Sequence, residues 1–251
     1  MCIRDSCYNT RLWLGELAEI GRRAPAWARS GERVGDLFSW VTGDLYSAIV
    51  ELFEDRPSEA RTRASLAIGR WSRNGFHLQH WLALKVTVLC DLYEGDAESA
   101  NARLSQAWDA LDESGLLRMQ LMRIDALLLR GTVAIASSRK DSRRLVLATR
   151  DAAALEAEER PAAQGGAALL RAGVAAARGS RTAARTEYTI AARELSRAEV
   201  RLHAACATLS CSPSEEDSAR ALAVLTGEGI VRPERALRVF APVAGLSLIH
   251  I

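Results

Sequence analysis

The chain has 251 residues, 49% of them hydrophobic and 25% charged, enough to bury one large core or two small ones. Thirty-three basic and 31 acidic residues leave a formal charge of +2, which excludes a dedicated nucleic-acid binder with its strongly basic face. Aromatics are only 6%, prolines number six and alanine, the best helix former, is abundant, so a β-sandwich or barrel is disfavoured and an all-helical protein is expected.

In chain order, the first segment is Met1-Cys2-Ile3-Arg4-Asp5-Ser6, and it pairs with the last, Leu246-Ser247-Leu248-Ile249-His250-Ile251. With suitable codons the two hexapeptides are one DNA sequence read on opposite strands, similar to the end of a transposase-based sequencing adapter. The expectation is a translated fragment with residues 1–6 and 246–251 as adapter-like ends and residues 7–245 as one helical domain.

From Leu12 to Ala244 the sequence reads as successive helices. Breaks are expected at Ser30-Gly31, Asp55-Arg56-Pro57-Ser58, Ser72-Arg73-Asn74-Gly75, Glu94-Gly95-Asp96, Ser114-Gly115, Arg160-Pro161, Gly179-Ser180 and Ser212-Pro213, where capping and helix-terminating residues cluster. Pro57, Pro161 and Pro213 sit near helix starts, where a missing N–H costs nothing. No segment alternates apolar and polar residues with strand period. An internal repeat is visible: Gly95, Ala100, Leu104, Ala107 and Leu111 recur as Gly179, Ala184, Tyr188, Ala191 and Leu195, and earlier as Asp55, Ala60, Ala64, Ala67 and Trp71. The unit of about 40–44 residues predicts a tetratricopeptide-like solenoid of antiparallel helical hairpins, with alanines at the close approaches. The stretch from Ser138 to Glu159 fits this register poorly. A plain alanine-rich bundle is the competing architecture.

A helix is predicted from near Phe76, on which His80, Thr87 and Asp91 form a polar stripe through an apolar segment. That stripe reads either as the lining of a partner groove or as a solvated face. His77 and His80 read as capping and packing groups near Trp71 and Trp81 rather than as metal ligands, since no second ligand pair has metal spacing. Leu116 to Ala136 reads as one buried helix interrupted by Arg118, Gln120, Arg123, Asp125 and Arg130. Its charges must be paired or face water. They serve either as ion pairs between hairpins or as an inner-face site gripping acidic groups of a partner. The candidate partner-binding residues are therefore His80, Thr87, Asp91, Arg118, Gln120, Arg123 and Arg130.

Catalytic and cofactor motifs are not found in the sequence. Neither lysine, Lys85 nor Lys140, belongs to a phosphate-binding loop, and zinc-protease, nucleophile-elbow and kinase catalytic motifs do not occur. Catalytic, cofactor and metal residues are expected to be none. The predominance of arginine over lysine reads as genome composition or as enrichment for phosphate recognition. Five scattered cysteines (Cys2, Cys7, Cys90, Cys206, Cys211) predict reduced thiols and a cytoplasmic protein. No run of about 18 apolar residues predicts a membrane span.

The runs Trp71-Ser72-Arg73-Asn74-Gly75-Phe76-His77-Leu78-Gln79-His80-Trp81, Leu92-Tyr93-Glu94-Gly95-Asp96 and Ser114-Gly115-Leu116-Leu117-Arg118-Met119-Gln120-Leu121-Met122-Arg123 carry a resemblance. They resemble the C-terminal helical-repeat region of large bacterial serine/threonine protein kinases, in which a kinase domain and an ATPase-like module precede tetratricopeptide-like repeats. Gly227-Glu228-Gly229-Ile230-Val231-Arg232-Pro233-Glu234-Arg235 with Phe240-Ala241-Pro242 resembles the end of such chains. The resemblance implies a non-catalytic regulatory or docking module whose partner is another protein or the kinase and ATPase domains of the parent chain. The alternative is the sensor array of a signal-responsive transcription activator, and an all-helical enzyme is a third reading.

Overall fold

The computed structural model describes residues 3–211 and 214–242. Among these residues the chain is all-α, with no strand. The helices are α1 (Ile3–Leu14), α2 (Leu17–Val34), α3 (Leu37–Phe53), α4 (Pro57–Gly69), α5 (Leu78–Glu94), α6 (Ala97–Glu113), α7 (Gln120–Ala136), α8 (Arg144–Glu156), α9 (Pro161–Ala177), α10 (Arg181–Arg197), α11 (Arg201–Ser210), α12 (Glu215–Gly227) and α13 (Pro233–Phe240). Consecutive helices from α1 to α13 pack on one another, and α3 with α5 and α7 with α9 pack one element further on. No helix among the described residues is long and apolar enough to cross a membrane.

The turns are regularly spaced. Backbone φ is positive at Gly15, Gly35, Asp55, Gly75, Gly95 and Gly115, each 20 residues after the last, and the same spacing returns at Glu159, Gly179 and Glu199. A left-handed residue after a helix satisfies its last carbonyls and reverses the chain. The repeat seen in the sequence is thus a pair of 20-residue helix-plus-turn units. Between Gly115 and Glu159 the interval is 44 residues. The extra length falls with the longer connection from Ser137 to Arg143, which displaces the third unit's register.

The two helices of each pair have different burial. Twelve positions are buried in each of α3, α5 and α7, against three in α4 and three in α6. The repeat positions Ala60, Ala64, Ala67, Ala100, Leu104, Leu111, Ala184, Tyr188, Ala191 and Leu195 form the buried seams of α4, α6 and α10. In α8 the corresponding seam is Ala148, Asp151 and Leu155. A carboxylate stands where the other units have alanine, which is the second reason that this unit fits poorly.

Two expected boundaries are corrected. No break occurs at Ser30-Gly31: α2 runs through it and ends at Gly35, whose φ is +69°. Gly31 serves packing instead, because a Cβ there would lie 2.5 Å from the Trp40 backbone nitrogen. Leu116 to Ala136 is not one helix. A 3-10 turn covers Leu116–Arg118, and Met119 is extended before α7 begins. Arg118 and Asp125 therefore do not share a helical face. The helix expected near Phe76 starts at Leu78, with His77 as its N-cap. The break at Ser212-Pro213 and the adapter-like segment 246–251 lie outside the described residues.

Candidate functional site

The molecule closes on itself. The turn between α12 and α13 docks on the N-terminal helices: the Ala18 N–H donates to Glu228 Oε2 at 3.1 Å, and the Val231 N–H donates to the Phe53 carbonyl. Beyond it α13 packs against α5 and α11. Its arginines face outward to fixed acceptors, Arg235 to Asp55 at 2.9 Å and Arg238 to the Tyr93 carbonyl at 3.1 Å. Ala236, Leu237, Val239 and Phe240 are buried. Phe240 stacks on Phe53 at 5.0 Å and meets His203 edge-on at 4.8 Å. The chain then reaches Pro242, whose carbonyl accepts from the Tyr188 hydroxyl at 2.8 Å.

Under α13 lies a cavity of about 50 Å³ bounded by α1, α3, α5, α7, α11 and α13. Its walls are apolar: Leu12, Ile49, Phe53, Leu89, Leu128, Leu129, Val239 and Phe240. Its polar lining is Trp13, Lys85, Asp125, Thr132 and His203. Lys85 and Asp125 are a buried ion pair at 2.5 Å, and the other Asp125 oxygen accepts from Trp81 Nε1 at 3.1 Å. His203 is sandwiched between Trp13 and Phe240. Burial, with the Lys85 charge second, pushes its pKa down to about 3, so the imidazole is neutral at physiological pH. The indole N–H of Trp13 is buried without a hydrogen-bond partner.

Sequence reasoning singled out none of these five as a site. The available signal was a lysine that is the only charge in the stretch Trp81 to Leu89 and a single aspartate between Ile124 and Ala126. Opposite charges on two buried helices must find each other.

The seven residues singled out by sequence are not gathered into one groove. His80 Nδ1 accepts from the His77 backbone N–H at 3.0 Å, capping α5, and Trp71 Nε1 donates to His77 at 3.1 Å. Burial lowers the His80 pKa, helped by His77. The Thr87 hydroxyl donates to the Leu84 carbonyl within its own helix. Asp91 is buried and joins α4 to α6 through Arg61 at 2.7 Å and Arg103 at 2.8 Å. Gln120 and Arg123 both donate to Glu158, and these bonds hold its pKa below the usual carboxylate range. Arg130 pairs with the buried Asp151 at 2.5 Å and lies 3.7 Å over the Trp108 ring. Arg118 lies in the 3-10 turn, and its carbonyl accepts from Arg123. Of these pairs Arg61–Asp91 joins one hairpin to the next, whereas Arg103–Asp91, Arg130–Asp151 and Arg123–Glu158 brace the two helices of a single hairpin.

A wider cleft of about 750 Å³ lies over α2, α3 and α4. Trp40, Asp44 and Glu51 of α3 face Arg63 of α4 and Arg70 at its C-cap. Arg63 donates to Glu51 at 2.9 Å and Asp44 at 3.3 Å, and Arg70 donates to Asp44 while covering Trp40 at 4.5 Å. Asp44, Arg63 and Arg70 are thus matched with one another, and Glu51 accepts through one oxygen while its other oxygen is buried without a hydrogen-bond partner. The described cysteines are free thiols. Burial raises the Cys90 thiol to about 12 and raises Cys206 as well, which keeps both protonated and unreactive. Among the described residues no group of three His, Cys, Asp or Glu side chains gathers at metal-binding distance.

Comparison with known protein families, curated proteins and solved structures gives no match.

Proposed function

We propose that this chain is a non-catalytic, cytoplasmic helical-repeat module that docks a protein segment, the C-terminal repeat region of a bacterial serine/threonine protein kinase. One observation supports this most directly: the interior of the array already receives an amphipathic helix, α13, with Phe240 as its anchor against Phe53 and His203. A surface that takes one short helix by apolar anchors and rim arginines suits a helix of like chemistry from a partner or from the parent chain's own kinase and ATPase domains. No catalytic role is assigned to it. The cavity under α13, with Lys85, Asp125, Thr132 and His203 set among apolar walls, favours the second reading, the sensor array of a signal-responsive transcription activator.

A labelled peptide spanning residues 232–242 tests the docking reading against the chain carrying Phe240→Ala, which weakens the resident helix. Saturable binding, competed by the kinase and ATPase domains of a longer relative, is expected. A folded variant that binds neither peptide nor domains overturns the reading. ATP should not bind the chain, since it carries no phosphate-cradling loop.

A further inference from the structure

We propose that the cavity beneath α13 is a binding site for the smallest uncharged amide, a molecule of about three non-hydrogen atoms with a carbonyl acceptor and an N–H donor. This site is independent of the docking reading.

The polar groups facing the cavity define the ligand's chemistry. Trp13 is nine-tenths buried and its indole N–H has no partner. Lys85 uses one of its three N–H groups on Asp125. Both are donors, so the ligand must bring an acceptor. Thr132 and neutral His203 each combine donor and acceptor capacity, so the ligand can bring a donor as well. A primary amide supplies both in one plane.

Charge excludes the neighbouring classes. Lys85 and Asp125 already cancel, so a carboxylate would leave a net negative charge in an apolar cavity. A cation finds no free carboxylate oxygen, because Lys85 and Trp81 occupy both oxygens of Asp125. A hydrocarbon would leave the Trp13 N–H unpaired, and a buried orphan donor is costly. Size sets the upper limit. A cavity of about 150 Å³ holds benzene, roughly 25 Å³ for each non-hydrogen atom, so about 50 Å³ admits at most a molecule of formamide's size.

The test uses the ¹⁵N-labelled full chain titrated with formamide and, separately, with formate. Each of its six tryptophans contributes one indole N–H resonance, and Trp13→Phe assigns the one from Trp13. The expected result is a saturable shift of the Trp13 resonance with formamide, no shift with formate, and binding at least fivefold weaker in Thr132→Val with its thermal melt retained. An unmoved or linearly drifting Trp13 resonance means that the cavity holds only water and overturns the proposal. An equal response to formate, or unchanged affinity in folded Thr132→Val, overturns it too.

Discussion

Asp55 accepts a hydrogen bond at 2.9 Å from Arg235, a residue 180 positions later in the chain, and another at 3.1 Å from the Tyr93 hydroxyl. Asp55 is also the turn residue after α3, held at φ +61°. One side chain therefore ends a helix, pins the next hairpin through Tyr93 and anchors α13. Asp55→Ala should destabilise the chain by about 1–3 kcal/mol, the cost of leaving partners unpaired in a strained turn. A double-mutant cycle with Arg235→Ala, read by urea melts, should give a coupling of about 0.5–1 kcal/mol, because both groups are partly exposed. Zero coupling would mean that the ion pair does not hold α13 down.

Phe240 carries the apolar part of that closure. Phe240→Ala removes the stack on Phe53 and the edge contact with His203. A cost of about 3 kcal/mol is expected, at the lower end for a buried phenylalanine because α13 has only eight residues and can adjust. Hydrogen exchange should show α13 opening more often than α3 or α5 in the variant. Uniform loss of protection would instead mean that α13 unfolds only with the whole array.

The helices and most turns were legible because they are local. Asp55, Gly95 and Gly179 mark turns in sequence and are left-handed in the structure. Gly31 misled, because a glycine that admits a neighbouring backbone reads the same as one that ends a helix. The third unit was obscured by its longer Ser137–Arg143 connection and by Asp151 at a small-residue position, where Arg130 on α7 makes the carboxylate acceptable. Closure by α13 left no local mark at all. It depends on Asp55 and Phe53 meeting residues from the opposite end of the chain, and on Tyr188 meeting Pro242 54 positions later, and no periodicity encodes that.

Two glycines of similar helical setting should respond with opposite sign. At Gly43 a Cβ would lie 2.8 Å from the Ala28 backbone nitrogen, where α2 and α3 cross. Gly43→Ala gains helix propensity yet forces two backbones apart, and a net loss of about 1–3 kcal/mol is expected. At Gly69, the end of α4, an added Cβ would meet nothing within 4 Å, so Gly69→Ala should stabilise by about 0.4–1 kcal/mol. Chemical denaturation of the two variants decides it, and equal signs would contradict the close crossing.

His203 predicts how stability follows pH. Its folded pKa is depressed to about 3 by burial, against about 6.5 unfolded. The unfolded chain therefore binds a proton that the folded chain refuses. Stability is full above pH 6.5 and falls as pH drops from 6.5 toward 3, by about 1 kcal/mol at pH 5.5. Glu158, whose pKa is lowered by Arg123, loses its contribution only near and below the ordinary carboxylate pKa of about 4.3. His80, whose folded pKa is also lowered, contributes between pH 6.5 and 5 with the same sign, so the His203 share is the difference between the urea midpoints of the chain and of His203→Phe. His203→Phe should reduce the slope in that window, and an unchanged slope would assign the dependence to other groups.

The ion pair between Lys85 and Asp125 joins α5 to α7 at the cavity, and both residues are buried. Breaking one side leaves the other charge uncompensated in an apolar surround. Lys85→Met should therefore cost about 3–5 kcal/mol. Replacing both partners removes the desolvation problem instead of exposing it. Lys85→Met with Asp125→Leu should recover most of that loss, short of full recovery because Trp81 Nε1 then loses its acceptor. Adding Trp81→Phe to the double variant separates that remaining penalty from the ion pair itself. The three variants share neighbours and are not expected to be additive, so the comparison is between the double and triple variants rather than with a sum of singles. Urea melts at neutral pH measure all three. A double variant as unstable as Lys85→Met would show that the pair stabilises the array outright, beyond satisfying its own buried charges.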